Sequence, residues 1–125
     1  MIFGIGTDIV EFSRIKKTYA RFGDHFTNRL LMPEERALFE ESHHPIRFLA
    51  MRFAAKEAIV KAMGTGFSNG VWIKDIGVVN NELGKPLVVF SNRGKLVCKK
   101  LGISDGHISL SDEAGLILAF SIMMK

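Results

Sequence analysis

PIRFLAMRFAAKEAIVKAM, residues 45–63, followed by Gly64-Thr65-Gly66, is the stretch whose reading decides the fold. Pro45 suits a first helical turn, because its missing N–H is unpaired there anyway. Gly64 suits the position just past a helix end, where a left-handed conformation is needed. Between them the spacing predicts the longest helix of the chain. On a wheel of about 100° per residue, Phe48, Met51, Ala55, Ile59 and Ala62 form one apolar face. Glu57 and Lys61 lie four apart on the opposite side, as neighbours on one stripe. Arg52 falls at the edge of the apolar face, where a cation wants an anionic partner or a subunit interface.

Upstream of this helix, Ile2, Ile5, Ile9 and Val10 predict a strand over Met1–Val10, ending near Asp8. Ser13 or Glu11 then opens a basic helix running to about Arg21, with Gly23 as its stop. Pro33, followed by Glu34 and Glu35, starts a short helix to about Glu41. Downstream the pattern turns to β. Val71, Ile73, Ile76, Val78 and Val79 read as one strand region, Asn80 to Pro86 as a turn, and Leu87–Phe90 as the partner strand. Asn92–Leu101 reads as a helix closed by Gly102. His107–Ser111 and Leu116–Ile122 read as strands joined by Asp112-Glu113-Ala114-Gly115. The expected fold is α+β: an N-terminal strand and helices, then antiparallel strands packed on the long central helix.

With 125 residues and no repeat, linker or low-complexity tract, residues 1–125 are expected to form a single domain. A chain of this length buries about two-thirds of its unfolded surface. The 47% hydrophobic content supplies a core that needs neither metal nor disulfide. Cys98 is alone, so no internal disulfide exists, and its apolar surroundings read as a small hydrophobe more than a catalytic thiol. No apolar run approaches the ~18 residues of a membrane span. The apolar N-terminus lacks a basic flank and is broken by Asp8, unlike a signal peptide, so a cytoplasmic protein is expected. The net charge of +4, from 17 basic and 13 acidic residues, points to an anionic partner.

Three groups of residues could carry chemistry. The first is Glu57 and Lys61 with Gly64-Thr65-Gly66, which is either an exposed i,i+4 ion pair with a glycine cap or a phosphate-facing helix end. The second is Asp8, directly after Gly4-Ile5-Gly6-Thr7. It reads either as a helix cap or, with Glu57, as half of a magnesium site. Mg²⁺ takes one or two carboxylates and completes its shell with water and phosphate oxygens. Gly4 and Gly6 alone are a weak nucleotide signal, and no Walker-type lysine loop is present. The third is His107, Ser109 and Ser111, which alternation places on one strand face, either toward solvent or lining a cleft.

Taken together, Gly6-x-Asp8-Ile9-Val10 with Arg14-Ile15 and Phe53-Ala54-Ala55-Lys56-Glu57-Ala58-x-x-Lys61-Ala62-x-Gly64-Thr65-Gly66 form two of four ordered blocks. Leu83-Gly84-Lys85-Pro86 and His107-x-Ser109-x-Ser111 are the others. These blocks resemble the 4′-phosphopantetheinyl transferase family in its short, holo-acyl-carrier-protein synthase type, in order and over nearly the whole chain. The position after the last block is often histidine in that family, and here it is Asp112.

The resemblance implies that Asp8 and Glu57 are ligands of Mg²⁺ and that Lys61 contacts the phosphate under attack. It implies that Gly64, Thr65 and Gly66 lie against the nucleotide, and that His107 and Ser109 line the coenzyme A cleft. Arg52 and Arg47 are implied partners for its other phosphates. The implied reaction moves 4′-phosphopantetheine from coenzyme A to a serine of an acyl carrier protein, in support of fatty acid biosynthesis. A homotrimer with active sites between subunits is implied as well.

Arg14, Lys17 and Arg21 share one face of the first helix, either solvated or docking an acidic carrier protein, with Phe22 and Phe26 adding apolar contacts. Two rival readings exist. A small basic nucleic-acid-binding protein explains the charge but leaves Asp8 and Glu57 without a role, and no aromatic-rich binding strand accompanies it. A phosphotransferase or hydrolase acting on a free nucleotide lacks a phosphate-binding P-loop. Neither nucleic acid nor a membrane is therefore expected as a partner.

Overall fold

The computed structural model describes residues 1–125. Strand β1 (Ile2–Glu11) runs directly into helix α1 (Phe12–Phe22), which ends at Gly23 with φ 52°. That conformation lets the chain turn at once into α2 (Asp24–Leu30). Helix α3 (Pro33–Glu40) and the long α4 (Pro45–Met63) follow, and Gly64 closes α4 at φ 77°. A 3₁₀ turn at Ile73–Asp75 leads into the hairpin of β2 (Ile76–Asn80) and β3 (Pro86–Phe90). Helix α5 (Asn92–Leu101) and strands β4 (Asp105–Glu113) and β5 (Leu116–Met124) complete the chain.

The α+β expectation holds, with antiparallel strands against a long helix. Several details differ from the sequence reading, among them Asn80 and Pro86, which pair as the last and first residues of β2 and β3 instead of lying in the turn. β1 continues three residues past Asp8, because Ile9, Val10 and Glu11 pair with Leu118, Ile117 and Leu116. Val71 and Ile73 precede the strand instead of belonging to it, since Asp75 accepts the Trp72 N–H and winds the chain into a turn. The final hairpin is longer than expected, and Asp112 and Glu113 belong to β4. Helix α2 has only seven residues, too few for a periodic apolar signal.

The larger sheet has the order β1-β5-β4, and α4 lies across β1 and β5. Close approach is possible because small residues face one another. A Cβ added at Gly4 would collide with the Ala62 carbonyl oxygen, and one at Gly6 with that of Ala58. Ala50, Ala54, Ala55, Ala58 and Ala62 are buried on the helix side. The Gly4-x-Gly6 pair thus serves the seating of a helix on a strand, not a nucleotide. Leu49, Ile59 and Met63 are also fully enclosed, each contributing about 1.5–3 kcal/mol of apolar burial.

Burial on α4 exceeds the single face read from the wheel. Lys56 is 0% exposed and Arg52 6%. Both lean on Glu35 of α3, itself 0% exposed. Glu35 Oε1 accepts the Met32 N–H and meets Lys56 Nζ at 2.6 Å. Its Oε2 accepts the Val78 N–H at 2.9 Å and lies 3.8 Å from Arg52 Nε. Lys56 also donates to the Leu30 carbonyl, and Arg52 Nε to that of Val78. One carboxylate and the Lys56 ammonium it holds therefore tie α2, α3, α4 and β2 together. Burial pulls the Lys56 and Arg52 pKa values down, and the charge of Glu35 opposes that pull.

Candidate active site

Side chains alternate along β1, so Gly4, Gly6, Asp8 and Val10 share the face turned to α4. The two glycines draw the helix in, and Asp8, two residues on, arrives beside its exposed stripe. Lys61 Nζ donates to Asp8 Oδ1 at 3.2 Å and to the Thr7 carbonyl at 3.0 Å. Glu57 stands one turn back on α4 and takes no part in that ion pair. The i,i+4 pair between Glu57 and Lys61 is not made, because Lys61 reaches across to the strand instead. Asp8 caps no helix either: the residue before α1 is Glu11, whose side chain makes no cap.

Partial burial and then the charge of Asp8 push the Glu57 carboxyl above its ordinary range, against the pull of Lys61 and Arg14. A carboxylate whose proton affinity is raised by a neighbouring carboxylate favours a cation nearby. No cluster of three or more His, Cys, Asp or Glu side chains occurs in the chain. The donor set is therefore too small for an all-protein metal cage. It fits Mg²⁺, which keeps most of its shell for water and phosphate oxygens.

Around this pair, Arg14 of α1 lies over the Phe53 ring at 5.6 Å. Lys17 is exposed, Arg21 stacks on Phe22, and Phe22 is 48% exposed. A basic, aromatic helix face therefore flanks Glu57. Beside it, Thr18, Phe22, His25, Phe26, Arg29 and Ile73 border a mainly apolar groove. The Gly64–Gly66 loop is folded on itself. The Gly64 N–H donates to Val60 and Lys61, the Thr65 hydroxyl to Gly66, and Ser68 and Asn69 both hold the Thr65 carbonyl. The Gly64 N–H and the Thr65 hydroxyl are thus spent on closing the helix and the loop.

The remaining candidates lie elsewhere. A cleft of about 650 Å³ opens between the start of α4, the Gly84-Lys85-Pro86 turn and β4, lined by His44, Arg47, Arg52, Lys85 and Ser109 among others. Arg47 pairs with Asp112, and Arg52 lies over the Phe48 ring at 4.0 Å. The Arg52 Nη2 is buried without a partner. His107 does not join this cleft and instead sits 3.5 Å from Asp105. Within one chain, then, Asp8, Glu57 and Lys61 come together while Arg47, Arg52 and Ser109 gather separately. The sequence reading did not find the Thr7 carbonyl, Phe53 as the platform for Arg14, or His44 and Lys85 in the cleft. Only Lys85 lay in a turn that already stood out.

Residues 4–120 match the sequence model of the 4′-phosphopantetheinyl transferase superfamily. The chain belongs to that superfamily. Within it, the chain is 46% identical over 125 residues to the holo-[acyl-carrier-protein] synthase of Nitrosospira multiformis, covering 100% of both. The crystal structure of the holo-[acyl-carrier-protein] synthase from Neisseria meningitidis matches with a TM-score of 0.96 at 42% identity, again over 100% of both chains. The Helicobacter pylori holo-[acyl-carrier-protein] synthase in complex with coenzyme A matches with a TM-score of 0.84 at 30% identity, over 96% of this chain and 99% of that one.

Proposed function

We propose that this chain, acting as one domain, transfers 4′-phosphopantetheine from coenzyme A to a serine of an apo acyl carrier protein and releases adenosine 3′,5′-bisphosphate. The observation that carries the reading is the meeting of Asp8, Glu57 and Lys61 at the seam of β1 and α4. Mg²⁺ held by Asp8 and Glu57 supplies charge neutralisation at the pyrophosphate. Lys61 binds the phosphate under attack and stabilises the negative charge that grows there. A site carboxylate, or water hydrogen-bonded to it, accepts the serine proton. The loop of Gly64, Thr65 and Gly66 borders the nucleotide. Arg14, Lys17, Arg21 and Phe22 dock the acidic carrier beside Glu57, an attraction that salt weakens.

The two separated groups of residues support a homotrimer in which the cleft of one copy faces the carboxylate pair of the next, so that Arg47, Arg52 and Ser109 complete the coenzyme A site, with His107 outside the cleft on the same strand. The sheet supports the same assembly. Its face away from α4 shows Ile5, Ile9, Leu116, Leu118 and Phe120, each 37–62% exposed. Cross-strand register sets Ile9 beside Leu118 and Thr7 beside Phe120, so these residues form a continuous apolar surface that a second copy would cover. No helix is long and apolar enough to cross a membrane. The setting proposed for this chemistry is the cytoplasm.

The test is the mass of purified apo acyl carrier protein after incubation with this protein, coenzyme A and Mg²⁺. A gain of one phosphopantetheine, lost on chelation, supports the reading. An unchanged carrier that a known transferase can still modify refutes it.

A further inference from the structure

We propose that Lys61 is also the resident counter-ion of Asp8, which a divalent cation displaces, so that cation binding frees the Lys61 ammonium for a phosphate. The inference rests on the reading of Asp8 and Glu57 as cation ligands and adds a second role for the lysine between them.

The geometry is specific. Lys61 had a nearer partner in sequence, Glu57 one turn away, yet its Nζ lies on Asp8 Oδ1 at 3.2 Å. The Thr7 carbonyl, at 3.0 Å, anchors the same ammonium from the side of the strand. The lysine is thus held on the carboxylate that a metal would need, while Glu57 is left outside the pair. The side chains differ in freedom: Asp8 is 16% exposed and Lys61 54%. The acid is fixed by strand and helix, and the amine end can swing into the open site. A divalent cation on Asp8 would sit within a few ångströms of the ammonium, and like charges at that separation repel.

Two consequences follow. Without a cation, the Lys61 charge offsets that of Asp8 beside Glu57. With a cation, Lys61 loses the oxygen it held on Asp8 and needs a new anionic partner. The phosphate arriving beside the metal is one. Cation and phosphate binding thereby become mutually reinforcing, and by linkage each tightens the other by the same factor.

A double-mutant cycle tests this with Mn²⁺ as the probe, its free concentration read by electron paramagnetic resonance with no substrate present. The four proteins are wild type, Lys61→Met, Asp8→Asn and the double variant. If Lys61 competes for Asp8, Lys61→Met tightens Mn²⁺ binding roughly two- to fivefold, the worth of a part-exposed ion pair. In the Asp8→Asn background that gain disappears, because the contested carboxylate charge is gone. An equal gain in both backgrounds means only long-range charge repulsion and overturns the proposal. No gain in either does so as well. If wild type binds no Mn²⁺ at all, the metal reading itself fails, an outcome distinct from both. Lys61→Gln, which keeps a polar end, guards against a packing artefact and is expected to match Lys61→Met.

Discussion

Replacing Gly6 with alanine places one methyl group where the chain has no room for it. The new Cβ would overlap the Ala58 carbonyl oxygen and lie 2.7 Å from the Ala62 nitrogen and 2.9 Å from the Lys61 Cβ. Two of these three neighbours are helix backbone, which cannot rotate away, so β1 and α4 have to part. Overpacking of this kind costs about 1–3 kcal/mol, and the backbone obstruction puts Gly6 toward the upper end. For a domain of this size that lowers Tm by roughly 5–10 °C, read from thermal melting by circular dichroism. The same separation carries Asp8 away from Glu57 and Lys61. A misplacement of about 1 Å at reacting groups can cost on the order of a hundredfold in rate. Gly4→Ala is the companion. Its Cβ meets Ala62 first, and Gly4 lies two residues further from Asp8 along β1 than Gly6 does. It is expected to lose comparable stability but less transfer activity, measured by mass gain of the carrier. A Gly6→Ala protein with wild-type Tm and rate would refute the claim that glycine sets the strand-to-helix distance at the site.

Glu57→Gln removes one carboxylate charge at constant volume, so transfer should fall to background with Tm unchanged; a rate near wild type would remove Glu57 from the metal site. Arg14→Glu reverses a charge on the docking face and is expected to weaken carrier binding about tenfold or more at low salt, with a smaller effect at high salt. Unaltered carrier affinity by titration calorimetry would take this helix out of the dock. Glu35→Ala leaves Lys56 and Arg52 buried without their anion, which should cost about 3–5 kcal/mol in urea unfolding. For Asp75, burial favours the proton, but hydrogen bonds from Ser91, the Trp72 N–H and Arg93 outweigh it and hold the carboxyl below its ordinary range. The unfolded chain then binds the proton more readily. The stability that Asp75 contributes is therefore present above the ordinary carboxylate pKa and lost as pH falls through the native value. Asp75→Asn should flatten the acid limb of the stability curve below about pH 4.

Much of the architecture was legible because local chemistry and position agreed. Pro45 and Gly64 bounded α4, and Gly102, with φ 82°, closed α5 after Leu101 as expected. Cys98 is buried, and burial raises its thiol pKa, as the reading of an inert hydrophobe required. Helix α2 was missed because its seven residues carry too few apolar positions to show a period. The apolar side of α4 was underestimated for a different reason. The wheel put Arg52 at the edge of the apolar face in want of an anion and gave Lys56 no place in the core, whereas a carboxylate from α3, distant in sequence, makes the burial of both tolerable. Nothing around Glu35 in sequence marks it as the partner.

The sequence by itself determined the α+β class, most of the elements and a short candidate set for holding a divalent cation and a phosphate. Those follow from side-chain period, turn chemistry and the donor atoms of Asp, Glu and Lys, all local properties. Only the tertiary structure decided which of them meet. Gly4 and Gly6 had no legible purpose until α4 lay against them, and that contact is what brings Asp8 to Glu57. Whether Lys61 paired with Glu57 on its own helix or with Asp8 on the strand depended on a distance between residues 53 positions apart. The separation of Arg52 and Ser109 from that pair is likewise a matter of opposite ends of packed elements, which no reading of spacing along one chain can supply.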